Sequence, residues 1–127
     1  MANAESNEEF VRRFFEEVWN RRNEAAIGQM LSADCVAYGL PDPDAVLRGP
    51  DEFRVLHATF CGAFPDLHIT VADVIASGDR VAARWQATGT HLGDHLGFPA
   101  TGKRVALDGA TIGIVRQGRI VEAWNMM

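Results

Sequence analysis

A chain of 127 residues, 47% hydrophobic and 23% charged, holds enough apolar material for one core and lacks the bias of a disordered chain. A net charge of −5, with twelve basic residues scattered rather than clustered, argues against nucleic acid as a partner. No apolar run approaches the ~20 residues of a membrane span, and the acidic, polar start is no export signal, so a cytoplasmic protein is expected, with Cys35 and Cys61 as free thiols.

In chain order, Ser6 followed by Glu9 is a capping-box pattern. Phe10, Val11, Phe14, Phe15, Val18 and Trp19 then make one broad apolar face, so a helix is predicted over residues 7–21. Asn23 can cap a second, shorter helix that buries Ile27, Met30 and Leu31 and ends near Ser32. Residues 35–38 read as a short strand and residues 39–44 as a Pro/Asp-rich loop. Pro50 suits the first turn of a third helix with Phe53, Leu56, Phe60 and Phe64 as its stripe, closed by Pro65.

Beyond residue 66 the period changes to two. Leu67, Ile69 and Val71 alternate with polar or small residues. After a turn at 77–79, Val81, Ala83, Trp85, Ala87, Gly89 and His91 share one strand face. Residues 92–103 form a Gly/Pro-rich loop, and residues 104–116 and 119–125 are two strands joined at Gln117-Gly118. Helices first and a strand meander afterwards indicate an α+β fold in one domain over residues 1–127, with three N-terminal helices on a curved, mostly antiparallel sheet.

Dinucleotide-binding, P-loop and nucleophile-elbow motifs are missing, and His91 and His95 flank a stretch too poor in helix formers to form a metal site, so neither metal nor cofactor is expected. The polar candidates for a pocket are Tyr38, the single tyrosine; His91, able to move protons near neutral pH; Asn125; and Asp108, which interrupts an apolar strand and faces either way depending on a bulge. His57 and His68 fall on faces that look solvated. Phe14, Trp19, Phe53, Phe60, Trp85 and Phe98 together suit a pocket for a flat, apolar molecule.

Residues 64–91, from Phe64-Pro-Asp-Leu-His to Ala87-Thr-Gly-Thr-His91, resemble the SnoaL-like polyketide and ester cyclases of the NTF2-like superfamily. So do Leu96-Gly-Phe-Pro-Ala-Thr-Gly-Lys-Arg-Val105, the ending Gly118-Arg-Ile-Val-Glu-Ala-Trp-Asn125 and the opening Phe15-Glu-Glu-Val-Trp-Asn20. The resemblance implies a cone-shaped fold, a homodimer through the outer sheet face, and cofactor-free ring closure of the aldol type through an enolate. It also implies an Asp acid/base on the last strand, where this chain has Asn125, and often a His where it has Tyr38. On that basis His91 is the expected base, with Tyr38 and Asn125 as donors to the enolate oxygen. Three alternatives stay open. A ketosteroid-isomerase-like site would pair Tyr38 with an inward Asp108. An epoxide-hydrolase-like site would need a carboxylate that Arg84-Trp-Gln86 lacks. A non-catalytic cone would hold a ligand or serve as a dimeric scaffold.

Overall fold

The computed structural model describes residues 5–127. The first helix, α1 (Asn7–Phe14), starts as its cap demands, with the Ser6 hydroxyl accepting the Glu9 N–H at 3.1 Å. The helix does not run on as α to residue 21. Phe15–Asn20 is π-helical, and the Arg21 N–H reaches back to the Glu16 carbonyl. α2 (Glu24–Met30) passes straight into β1 (Leu31–Tyr38), which therefore begins four residues before the expected strand. The expected loop at residues 39–44 is followed by β2 (Val46–Arg48), a short strand not foreseen in the sequence, and α3 (Gly49–Ala63) has Pro50 in its first turn as expected.

β3 (His68–Ser77), β4 (Arg80–Thr90), β5 (Arg104–Arg116) and β6 (Arg119–Met126) are the meander read from the alternation. Gln117 (φ 53°) and Gly118 (φ 71°) make the left-handed two-residue turn between the last two. The sheet has six strands in the order β2-β1-β6-β5-β4-β3, with β1 and β6 parallel and the rest antiparallel. Register shifts in the β1–β6, β3–β4 and β5–β6 ladders bend it, since a bulge adds local twist. The sheet curls round the helices without closing. Its concave side carries Val81, Ala83, Trp85 and Ala87 against Phe10, Phe14, Phe15 and Trp19. The expected α+β architecture, three helices on a curved and mostly antiparallel sheet, is the one observed.

Two polar side chains tie the π-helical turn to its neighbours, one to the sheet and one to α3. Asn20 lies opposite the outer edge of β3, and its amide gives Nδ2–H to the Ile69 carbonyl at 2.8 Å and takes the Ile69 N–H at 2.7 Å. It thus replaces a missing neighbouring strand at one residue. His57 is buried, not solvated as its sequence position suggested. Its Nε2–H donates to the Val18 carbonyl in the π-helical turn at 2.7 Å, and its ring lies 5.0 Å from that of Trp19.

Asn20→Ala leaves both peptide groups of buried Ile69 without these partners, so a loss of about 2 kcal/mol in unfolding free energy is expected. Urea denaturation measures it. A loss under about 0.5 kcal/mol, the range of an ordinary surface substitution, contradicts the clasp.

Candidate functional site

Between the helices and the concave sheet lies a cavity of about 320 Å³. Phe14, Trp19, Phe53 and Phe60 form its helical wall, with Trp19 and Phe53 edge to face at 5.8 Å. Trp85, Ala87 and Leu107 belong to the sheet wall, and Leu96 reaches it from the 92–103 loop. The π-helical turn presents both Phe15 and Trp19 to the interior. Phe98 is a correction to the expected aromatic set: it is half exposed and lies against the His91 ring at 5.2 Å, outside the cavity wall.

The polar amide and hydroxyl of the lining meet: Asn125 and Thr111 sit opposite each other on β6 and β5. The Trp85 indole Nε1–H donates to the Thr111 hydroxyl at 3.0 Å; that hydroxyl donates to Asn125 Oδ1 at 2.8 Å; and Asn125 Nδ2–H donates to the Tyr38 carbonyl at 3.0 Å. The direction is set by the Tyr38 carbonyl, which only accepts and so takes the amide nitrogen, leaving Oδ1 to accept the Thr111 proton; the indole N–H, which only donates, fills one of the hydroxyl's acceptor positions. Asn125 therefore presents its nitrogen toward Tyr38, and one of its two N–H bonds takes no partner among the described residues.

Backbone geometry makes room for this. At Gly109, opposite Trp85 in the ladder, a Cβ would strike the indole ring. Gly39 (φ 86°) brings the chain so near the Asn125 carbonyl that a Cβ there would collide with it. Gly109, Thr111 and Gly113 alternate on one strand, and that period-two row of small residues is the signal by which Thr111 could have been found.

The other sequence-derived candidates do not converge on the cavity. Tyr38 points to the outer sheet face, where its hydroxyl donates to Glu122 Oε2 at 3.1 Å and its ring stacks on Trp124 at 5.8 Å. That carboxylate holds the Tyr38 hydroxyl above its ordinary pKa. Asp108 is exposed on the same outer side, paired with Gln86, so no bulge turns it inward and the Tyr38–Asp108 pair does not form. Arg84 also faces out, where it binds Asp73.

His91 is 4% exposed, just past the end of β4, but is not part of the cavity lining. Its Nδ1 accepts the Thr101 N–H at 3.2 Å, so the ring proton of the neutral side chain sits on Nε2, which is buried without a partner. With the His91 N–H donating to Lys103 O and the Gly102 N–H donating to His91 O, the residue anchors the 92–103 loop.

Among the described residues, one ionisable side chain lines the cavity. This is Cys35, whose thiol is pushed up in pKa by burial and stays neutral. The arrangement can enclose an apolar molecule and offer one fixed hydrogen-bond donor to an oxygen. Among the described residues it offers no side-chain base.

Comparison with known proteins agrees with this architecture. No curated protein matches the chain. Among solved structures, a protein assigned as a SnoaL-like polyketide cyclase from Jannaschia sp. CCS1 superposes with a TM-score of 0.83 at 21% identity, over 98% of this chain and 90% of its own. IdmH from Streptomyces antibioticus, assigned as a polyketide cyclase, gives 0.79 at 27% identity, over 93% and 88%. AclR from Streptomyces galilaeus, assigned as a hydroxylase, gives 0.75 at 30% identity, over 91% and 71%. The same cone thus carries different assigned reactions, and it is the sequence match over residues 9–127 that decides the lineage: this chain belongs to the SnoaL-like polyketide cyclase family.

Proposed function

We propose that the chain is a cyclase-type enzyme that encloses one small, mostly apolar carbonyl compound and promotes its ring closure. The observation that carries this reading is an aromatic cavity lined by a single fixed amide donor, Asn125, which has one N–H unpartnered among the described residues. In an aldol-type closure, a C–H between two carbonyls loses its proton and the charge moves onto oxygen. A preorganised N–H in a water-poor site stabilises that oxygen. The carbanion then attacks a third carbonyl in the folded substrate, a C–C bond forms as that C=O π bond opens, and the new alkoxide takes a proton. With an uncharged lining, water carries the proton out and back, and the protein contributes confinement and the oxygen-binding donor. These steps need no cofactor. The same uncharged lining favours a second reading, a non-catalytic carrier of the same ligand class.

The partner proposed is a second copy of the chain. Val46, Tyr38, Trp124, Ile112, Ala82 and Ile75 lie in register across all six strands on the outer face. Ile75 is 71% exposed and Ile112 38%. A continuous apolar row of that kind suits an isologous contact.

Three outcomes are expected. With a linear poly-β-ketone ester as substrate, Asn125→Leu slows cyclisation at least about tenfold, as loss of an oxygen-binding donor does, while Asp108→Asn matches the wild type. An equal rate for Asn125→Leu and wild type overturns the enzymatic role of the amide, and binding without turnover selects the carrier. In sedimentation velocity the wild type runs as a dimer and Ile112→Lys as a folded monomer; a monomeric wild type at high micromolar concentration removes the proposed partner.

The third concerns Asn125→Asp. A carboxyl at this position faces the Tyr38 carbonyl, which accepts only from its protonated form, so its native pKa lies above the ordinary value of about 3.9. A raised native pKa means the folded state holds the proton more tightly than the unfolded chain does. The variant is then most stable, relative to wild type, below about pH 4. As pH rises through the native pKa it loses about 1.4 kcal/mol for every tenfold by which folding tightens the hold on that proton. Thermal melts of both proteins from pH 4 to 8 measure it, and a constant difference across that range contradicts the amide orientation.

A further inference from the structure

The Thr111 hydroxyl has one proton to give. Because its oxygen already accepts the Trp85 indole N–H, the neighbour left for that proton is Asn125 Oδ1. The amide is then held at both its oxygen and its nitrogen: a flip sets Oδ1 against the Tyr38 carbonyl and gives up the bond from the Thr111 hydroxyl. Trp85 can reach Thr111 only because Gly109 lets the indole lie across β5. Each of these residues is otherwise accounted for as core or as small filler. Together they form a bracket around the Asn125 amide, which lines a mostly apolar space.

We infer that Trp85 and Thr111 are positioning residues for ligand recognition: they lock the Asn125 amide nitrogen-first, so that the cavity selects a ligand oxygen that accepts, a ketone or ester carbonyl, over a group that donates, such as an alcohol or amine. This rests on the reading of the cavity as the ligand site. The selectivity does not come from Asn125 alone, since a free amide offers its oxygen as readily as its nitrogen. It comes from the Tyr38 carbonyl, which takes only the nitrogen, together with the Thr111 hydroxyl, which occupies Oδ1 and is itself held by the Trp85 indole. In apolar surroundings the locked arrangement is favoured strongly, because each alternative leaves a polar group unpaired.

The test uses the full chain, labelled with nitrogen-15, and the probe 2-acetylnaphthalene carrying carbon-13 at its carbonyl. Without the probe, the Trp85 indole and Asn125 side-chain signals report the lock directly. Thr111→Val and Trp85→Phe shift the Asn125 amide signals and bring its two protons closer together; Thr111→Ser, which keeps the hydroxyl, restores the wild-type positions. With the probe, the bound carbonyl carbon of wild type and Thr111→Ser moves toward its position in alcohol. In Thr111→Val and Asn125→Leu it stays at its position in hexane, and affinity falls about fivefold, the worth of about one net hydrogen bond. The corresponding naphthyl alcohol, 1-(2-naphthyl)ethanol, binds wild type more weakly than the ketone, and Thr111→Val erases the difference.

Amide signals and a bound carbonyl that are the same in Thr111→Val as in wild type overturn the positioning role. Equal binding of ketone and alcohol to wild type overturns the selectivity. If neither compound binds wild type although the amide signals respond to Thr111→Val, the lock stands, and it is the assignment of the cavity as ligand site that falls, taking the recognition role with it.

Discussion

Everything in this molecule follows from a helical segment that must hide more aromatic surface than a flat sheet can cover. Phe10, Phe14, Phe15 and Trp19 of α1 and its π-helical extension are all buried. Each such ring contributes on the order of 2–3 kcal/mol when buried. The partner surface is therefore bent, by register shifts in three ladders and by glycines at 109 and 113 on the concave side. Rings arriving from the helices and from β4 meet at centroid distances of 5.8 to 6.4 Å, edge to face or tilted. They line a space instead of interdigitating to fill it.

Chemistry enters that space through few atoms. Removing Tyr38, His91 and Asp108 from the interior leaves a pocket whose electrostatics are set by a fixed dipole, the Asn125 amide, and not by a charge. A dipole of this kind needs no proton to be present or absent, so its effect on a ligand oxygen is nearly independent of pH across the neutral range. The cone shared with relatives assigned to other reactions is a container. Its contents are decided by which strand-end residues face inward.

The helices and the meander were legible because their signals are local. The Ser6 cap, the 3.6-residue aromatic stripe and the period-two alternation of β4 each depend on near neighbours in the chain. The π-helical turn was not legible, since the aromatic pattern of residues 15–20 suits either helix type. Neither was the β1–β6 pairing, which joins residues more than eighty apart. That pairing decides the site: it sets Tyr38 beside Trp124 on the outer face while bringing the Tyr38 carbonyl to Asn125. Four of the six aromatics expected at a pocket come from the helices, and all four, with Trp85, face the cavity. Phe98 failed because a loop without periodicity carries no facing information. His91 kept its inward strand parity, yet the loop after it captured its ring nitrogen. Thr111 was missed because a lone hydroxyl in an apolar strand looks like ordinary β-propensity.

An open sheet has two rims, and each exposes peptide groups to any stray strand that drifts by. In this fold one rim is β2, only three residues long, too short to template much pairing. The other is β3, ten residues long and the more hazardous. Asn20 occupies the Ile69 position of that rim with a side chain shaped like a peptide group. A residue that reads as the tail of a helix thus acts as a plug. It blocks the start of the rim where a neighbouring molecule would otherwise zip on, and so bears on whether the protein stays dissolved as well as on whether it stays folded.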